Sequence, residues 1–136
     1  MIPTDPPTDP RKASGMAAEQ AAASLLERLG HRVLARNLRL GHLEVDVLST
    51  DPADGSLVIT EVKARRGGRH APELRVDRRK RLHLETAARM LLCRADMRSR
   101  PVRFDVVAVT LDAQGRPESL RHVPRAFDAE GRRPGQ

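Results

Sequence analysis

Residues 43–66 read LEVDVLSTDPADGSLVITEVKARR, and the predicted fold is built around this stretch. Two apolar segments flank DPADG at 51–55, whose proline and glycine are typical of a turn, so the stretch predicts a pair of strands. Because side chains alternate along a strand, Glu61 and Lys63 are expected on the same face as the apolar Ile59. A buried charge is costly unless a partner or a metal ion compensates it. The stretch therefore predicts a polar site on an otherwise apolar sheet.

The remaining sequence predicts an α/β sandwich with a mixed central sheet of four to five strands flanked by helices. Ser14 is the expected N-cap of the first helix and Gly30 its C-cap, while Asp77 is the expected N-cap of the second. The predicted elements are a helix up to residue 29, strands at 31–37, 43–50 and 57–64, a helix ending at residue 92, a strand at 102–111 and a short edge strand at 120–123.

The chain of 136 residues has the size of one domain. Residues 1–13 contain four prolines among threonine and aspartate, which predicts a disordered leader. A single domain is expected over 14–127, followed by a disordered tail at 128–136. The sequence leaves monomer and homodimer open.

A net charge of +7 and a pI near 11.1 indicate a polyanionic partner, with a solvated arginine-rich surface as the alternative. Most of this charge lies between residues 65 and 81, directly after Lys63. We expect the basic residues there to bind nucleic acid, and DNA is favoured over RNA. They are Arg65, Arg66, Arg69, Arg75, Arg78, Arg79, Lys80 and Arg81.

Several classes of site are excluded by what the sequence lacks. A single cysteine, Cys93, excludes an internal disulfide and a cysteine zinc cluster. No phosphate-binding loop, serine nucleophile elbow or zinc-protease motif is present, and the five histidines are not at ligand spacing. No stretch approaches the roughly 20 apolar residues of a membrane span. The expected location is the cytoplasm, without a membrane partner.

After these exclusions, the residues that could carry a reaction are Asp46 on one strand and Glu61-Val62-Lys63 on the next. Two carboxylates within reach of each other suit Mg²⁺, or Mn²⁺ in its place, and a lysine can orient an attacking water or stabilise charge on a phosphate. This set predicts hydrolysis of phosphodiester bonds. The alternative for Glu61 and Lys63 is an exposed cross-strand ion pair. Glu19, which borders the apolar stripe of the first helix, is equally explained by the helix dipole.

Several motifs in order resemble the YraN family of uncharacterised bacterial proteins, which has the restriction-endonuclease-like fold of the PD-(D/E)XK nuclease superfamily. The matching segments cover the predicted domain: Gly15-x-x-x-Glu19-x-x-Ala22, Gly30 to Asn37, Leu43-Glu-Val-Asp46, Glu61-Val-Lys63 with Arg65, Lys80, and Arg103-Phe-Asp-Val-Val107. The chain departs from the family pattern at Leu43, where a glycine is usual, and at His31, where an aromatic residue is usual.

The resemblance implies that Asp46, Glu61 and Lys63 form the catalytic triad of a nuclease and that Glu19 adds a carboxylate on the metal side. The metal ligands would then be Asp46, Glu61 and Glu19. Related Holliday-junction resolvases use a similar set, which makes branched or flapped DNA one candidate substrate.

Three functions thus compete. The first is a Mg²⁺-dependent endonuclease acting on DNA. The second is a nucleic-acid-binding module that does not cut, or cuts only with a partner. The third, a protein-interaction domain, rests on no specific sequence feature.

Overall fold

The computed structural model describes residues 9–67 and 75–127. Two helices and five strands make up this part of the chain, which confirms the predicted α/β class. In chain order they are α1 (Pro10–Arg28), β1 (Arg32–Leu40), β2 (Leu43–Asp51), β3 (Ser56–Arg66), α2 (Arg78–Leu92), β4 (Val102–Leu111) and β5 (Pro117–Phe127).

The five strands form one mixed sheet in the order β1-β2-β3-β4-β5. The first three strands make the expected antiparallel meander, β3 pairs in parallel with β4, and β5 returns antiparallel to β4. A parallel pair needs a crossover connection, and α2 lies in it. β3 is therefore the central strand. The arrangement is consistent with a restriction-endonuclease-like fold.

The two helices cover opposite faces of the sheet. Leu84 and Leu91 of α2 pack in one core cluster with Leu57 and Ile59 of β3. On the other face, the small side chains of α1 pack against β4, where Val107 and Val109 are completely buried. Because β3 is central and both faces are covered, a charged side chain before the exposed end of this strand at residues 64–66 lies in or beside the core.

The ends of some elements differ from the prediction. α1 begins at Pro10, before the expected cap at Ser14, so residues 10–13 are helical and not part of a leader. Asp9 is the N-cap, since its Oδ1 accepts a hydrogen bond of 2.9 Å from the Arg11 N–H. Proline is favoured at the first helical position, and Asp9-Pro10 is therefore a helix start. β5 spans Pro117–Phe127 and is much longer than the predicted 120–123.

Residues 1–8, most of the predicted leader, lie outside the described residues, as does the whole predicted tail at 128–136. The same holds for 68–74, which include Arg69 of the basic segment.

A buried ionic cluster around Arg103 joins several strands on the α1 side of the sheet. Arg103 binds Asp105 through two hydrogen bonds of 2.9 and 3.0 Å, and its Nη1 donates to Asp51 at 2.8 Å and to Asp54 at 3.1 Å. Burial alone would raise the pKa of Asp105, but hydrogen bonds from His122, Arg103 and the Arg125 N–H outweigh it and lower that pKa. Each of these buried charges thus has a partner, as stability requires.

His31 belongs to the same cluster and is neutral. Arg103 Nη2 lies 3.3 Å from His31 Nε2, and because a guanidinium only donates, Nε2 must accept. The proton is therefore on Nδ1, which donates to Ser49 Oγ at 3.0 Å. Burial lowers the pKa of His31 and the Arg103 charge adds to this, against the charge of Asp51, whose Oδ2 lies 3.5 Å from Nε2. A polar residue is thus accommodated in the core because each of its ring nitrogens has a partner.

This arrangement predicts that acid destabilises the fold through His31. Because the folded state lowers its pKa, the stabilisation is complete above the unfolded pKa of about 6.5 and is lost as the pH falls below it, by at most about 1.4 kcal/mol per pH unit. His31→Gln keeps an acceptor and a donor but does not titrate. Urea unfolding between pH 7.5 and 5 should show a steeper loss of stability for the wild type than for the variant. Parallel curves would contradict the assignment.

Candidate metal and nuclease site

The candidate site begins where β2 and β3 separate. Their ladder ends at the pair Val47 and Thr60. Beyond that point the backbone N–H of Val62 donates to Asp46 Oδ2 at 2.9 Å, so a carboxylate takes the place of a backbone carbonyl. This hydrogen bond fixes Asp46 against β3.

The neighbours of Asp46 along β2 pack on opposite faces of the sheet. Val45 packs in the cluster that contains the α2 side chains, whereas Val47 packs with Ala23 and Leu26 of α1. The regular alternation of β2 is therefore interrupted at Asp46. This irregularity explains how Asp46 interacts with groups from both helices.

Three carboxylates converge on the α1 side. One oxygen each of Glu19, Glu44 and Asp46 lies within 4.8 Å of the others. Glu19 comes from α1, whose rotation is set by the buried neighbours Ala18 and Ala22, and the other two come from β2. None of the three makes a salt bridge to a cation in the described part of the chain.

The electrostatics of this group favour a bound cation. Burial and the neighbouring Asp46 raise the pKa of Glu19, and burial raises the pKa of Asp46, although the Val62 N–H and Lys80 oppose the effect. Around a cation bound at 2.0–2.1 Å, as Mg²⁺ is, adjacent oxygens are about 3 Å apart and opposite oxygens about 4.2 Å apart. Carboxylate oxygens that lie within 4.8 Å of one another are close to this spacing, so the carboxylate triad of Glu19, Glu44 and Asp46 could close around one hard divalent cation such as Mg²⁺ or Mn²⁺.

Glu61 lies next to this triad on the α2 side. Its side chain is 13% exposed, and Lys80 Nζ of α2 is 3.5 Å from its Oε2. At that distance the two groups form an ion pair, but they are too far apart for a good hydrogen bond. The buried Oε2 therefore has no hydrogen-bond partner among the described residues. Burial and the charge of Asp46 raise the pKa of Glu61 to about 7, against the opposing effect of Lys80. Glu61 is thus a buried acid with spare capacity for a ligand.

Lys63 has a different environment. It lies on the same face as Glu61, two residues further along β3, and its ammonium donates to the backbone carbonyl of Arg75. It still lowers the pKa of Glu61 by its charge, although other causes are larger. In this structure Lys63 therefore connects β3 to the segment that precedes α2.

The described basic residues after Lys63 lie close to the site along the chain. Arg65, Arg66, Arg75, Arg78 and Arg79 are exposed, whereas Lys80 and Arg81 are half-buried. Arg81 donates to the carbonyl of Val76 at 3.0 Å, which leaves it less available to a partner. Five of the predicted nucleic-acid-binding residues thus present their charge to solvent.

The structure groups the predicted site residues differently from the sequence. Glu19 and Asp46 are together as expected, but their third neighbour is Glu44, while Glu61 lies outside the triad and pairs with Lys80. Glu44 stands two residues before Asp46, and this Glu-x-Asp spacing on one strand was the available signal. Lys80 shares a helix face with Leu84, which was the signal for an inward position.

Comparisons with known proteins place the chain among uncharacterised bacterial sequences. The model of the uncharacterised protein family UPF0102 matches residues 18–109. A UPF0102 protein of Nitratidesulfovibrio vulgaris is 41% identical over 121 residues, which cover 88% of this chain and 87% of the relative. One of Oleidesulfovibrio alaskensis is 42% identical over 125 residues, but the match spans 61% of that longer relative. One of Symbiobacterium thermophilum is 40% identical over 116 residues, or 96% of its length.

Neither α1 nor α2 is long and apolar enough to cross a bilayer.

Glu61→Gln should stabilise the metal-free protein at alkaline pH. The folded state raises the pKa of Glu61 from 4.5 to about 7, so its stabilisation is complete below pH 4.5 and is lost as the pH rises through 7. At pH 8.5 in EDTA, the variant should exceed the wild type by as much as about 3 kcal/mol in unfolding free energy, and the two should converge near pH 4.5. Glu27→Gln, at an exposed position on α1 outside the carboxylate triad, is the control. A Glu61→Gln variant that is less stable at pH 8.5 would contradict the burial argument.

Proposed function

The chain belongs to the uncharacterised protein family UPF0102, and we propose that it is a nuclease that hydrolyses phosphodiester bonds of DNA with Mg²⁺ or Mn²⁺. The observation that carries the proposal is the carboxylate triad of Glu19, Glu44 and Asp46, whose oxygens lie within 4.8 Å of one another without a described cation between them. Carboxylates at such distances repel each other unless a proton or a metal ion neutralises them.

Asp46 is the central residue of the proposed site. Its Oδ2 is held by the Val62 N–H, and its charge affects both Glu19 and Glu61. Asp46 and Glu19 would hold the cation together with Glu44, and Oε2 of Glu61, which has no hydrogen-bond partner among the described residues, is a further carboxylate oxygen on the α2 side. When bound, the cation supplies positive charge that stabilises the charge developing on a phosphate.

The exposed arginines supply the second requirement, a surface that attracts a phosphate backbone. Arg65 and Arg66 end β3, and Arg78 and Arg79 begin α2, so both groups follow Glu61 closely along the chain. Phosphate contacts position a nucleic acid without reading its sequence. Such a surface suits an enzyme that recognises the shape of DNA, including branched or flapped forms, and the proposal implies a cytoplasmic enzyme.

A non-catalytic binding module is the second candidate. The observation in its favour is that Lys63 and Lys80 both bind groups of the protein itself, the Arg75 carbonyl and the Glu61 carboxylate. A site arranged in this way retains its fold and its basic surface without needing to cut. Cleavage and binding experiments separate the two candidates.

Cleavage should depend on Asp46. We expect purified protein with Mg²⁺ or Mn²⁺ to cut at least one of four-way junction, flap, linear duplex or single-stranded DNA, and Asp46→Asn to lower the rate at least about a hundredfold. Asp96→Asn, which changes an exposed carboxylate in the turn after α2, is the matched control and should retain activity. Equal cleavage by wild type and Asp46→Asn would show a contaminating nuclease and refute the proposal. RNA substrates of the same shapes test the preference for DNA.

Binding should depend on the arginines near the site more than on arginines elsewhere. Replacing Arg75, Arg78 and Arg79 by alanine should lower the slope of log affinity against log salt for duplex DNA by about 2–3, because each phosphate contact contributes about 0.9. The control replaces Arg94, Arg98 and Arg100, which are equally exposed beyond the other end of α2. Equal losses in both triple variants would assign binding to net charge alone. If the first triple variant lowers the slope as expected but the wild type cuts none of the substrates, the result favours the non-catalytic binding module.

A further inference from the structure

Lys80 differs from the other basic residues at the beginning of α2. Asp77 caps this helix, with its Oδ1 accepting a hydrogen bond of 2.8 Å from the Lys80 N–H. Val76 and Leu84 anchor the helix start in the core, and this fixes its rotation. Arg78 and Arg79 consequently point to solvent, whereas the Lys80 side chain is only 35% exposed and its ammonium reaches Glu61.

The ammonium closest to the buried carboxylate is therefore that of Lys80. Lys63, the lysine of the Glu-x-Lys motif, is held by the carbonyl of Arg75. The Lys80 contact of 3.5 Å leaves Glu61 Oε2 without a true hydrogen bond, and Glu61 is the one acidic residue with which Lys80 forms a salt bridge in the described part of the chain. An ion pair of this length, with one side chain partly in solvent, is weak. It balances charge without fixing the lysine firmly.

We propose that Lys80 is a positioning residue whose ammonium occupies the place of a divalent cation beside Glu61 and leaves it when the cation binds. The inference rests on the proposed metal site. A divalent cation at the carboxylates neutralises Glu61 more strongly than a single ammonium does, and it repels that ammonium. The flexible four-carbon stem of lysine lets the charge move outward without disturbing α2.

This exchange links metal binding to substrate binding. Once displaced, the ammonium of Lys80 joins the exposed guanidinium groups of Arg78 and Arg79, which lie next to it in the first turn of α2. Metal loading would thus add one positive charge to the surface that faces a phosphate backbone. In the metal-free protein the same charge is retained by Glu61.

The composition of the chain allows a direct test, because it contains just three lysines, Lys12, Lys63 and Lys80. The acylation rate of each amine by a small acyl ester at pH 8 is measured by mass spectrometry of peptides, in EDTA and in Mg²⁺. We expect Mg²⁺ to accelerate acylation of Lys80 about fivefold, the scale of a partly exposed ion pair, and to leave the exposed Lys12 unchanged. In Glu61→Gln, Lys80 should react at the fast rate with or without Mg²⁺.

Calorimetric titration of the same samples with Mg²⁺ distinguishes the possible failures. Binding heat without any change at Lys80 would refute the displacement and leave the proposed function intact. The absence of binding heat would refute the metal site and the inference with it. Acceleration that persists in Asp46→Asn would show that Mg²⁺ acts on Lys80 from outside the site, which also overturns the inference.

Discussion

The hydrogen bond from the Val62 N–H to Asp46 Oδ2 is the interaction on which the candidate site depends. It lies just beyond the last pair of the ladder between β2 and β3, and it holds the Asp46 carboxylate against β3. This hydrogen bond fixes the position of Asp46 between Glu19 of α1 and Glu61 of β3.

The sheet carries two clusters of charged side chains, and their charges are compensated in different ways. In the first, Arg103 neutralises Asp105 and Asp51. His31 stays neutral, and its Nε2 accepts a hydrogen bond from Nη2 of Arg103. Every partner there is provided by the chain, as expected of a group that stabilises the fold. In the second, the carboxylate triad makes no salt bridge among the described residues, and Glu61 makes only a long one with Lys80. A charge imbalance of this kind is typical of a site that receives its cation from solution.

The sequence was most informative where several local signals agreed. Asp77 as a cap, the apolar spacing through Leu84 and Leu91, and the β-branched run at 102–111 predicted α2 and β4 with the observed bounds. α1 was predicted too short because its Asp9-Pro10 start lies inside a proline-rich segment that resembled a leader. β5 was underestimated because its edge position leaves only Phe127 fully buried, so its burial pattern is not periodic.

For the site, alternation along β3 correctly placed Glu61 and Lys63 on the α2 face, but it could not show which lysine approaches Glu61. That choice depends on how α2 is rotated and on the carbonyl of Arg75, which are tertiary features. The same alternation argument, applied to Arg103 and Asp105 on an apolar strand, would have predicted their buried pair.

The most direct test of the account is a crystal structure of the protein grown or soaked with Mn²⁺, with anomalous data collected at the manganese edge. We expect one strong anomalous peak from a Mn²⁺ ion coordinated by Asp46 and Glu19, with Glu44 or Glu61 as the remaining protein ligand. A peak found only at exposed carboxylates elsewhere, or no peak at millimolar Mn²⁺, would contradict the central claim that this carboxylate group is a metal site.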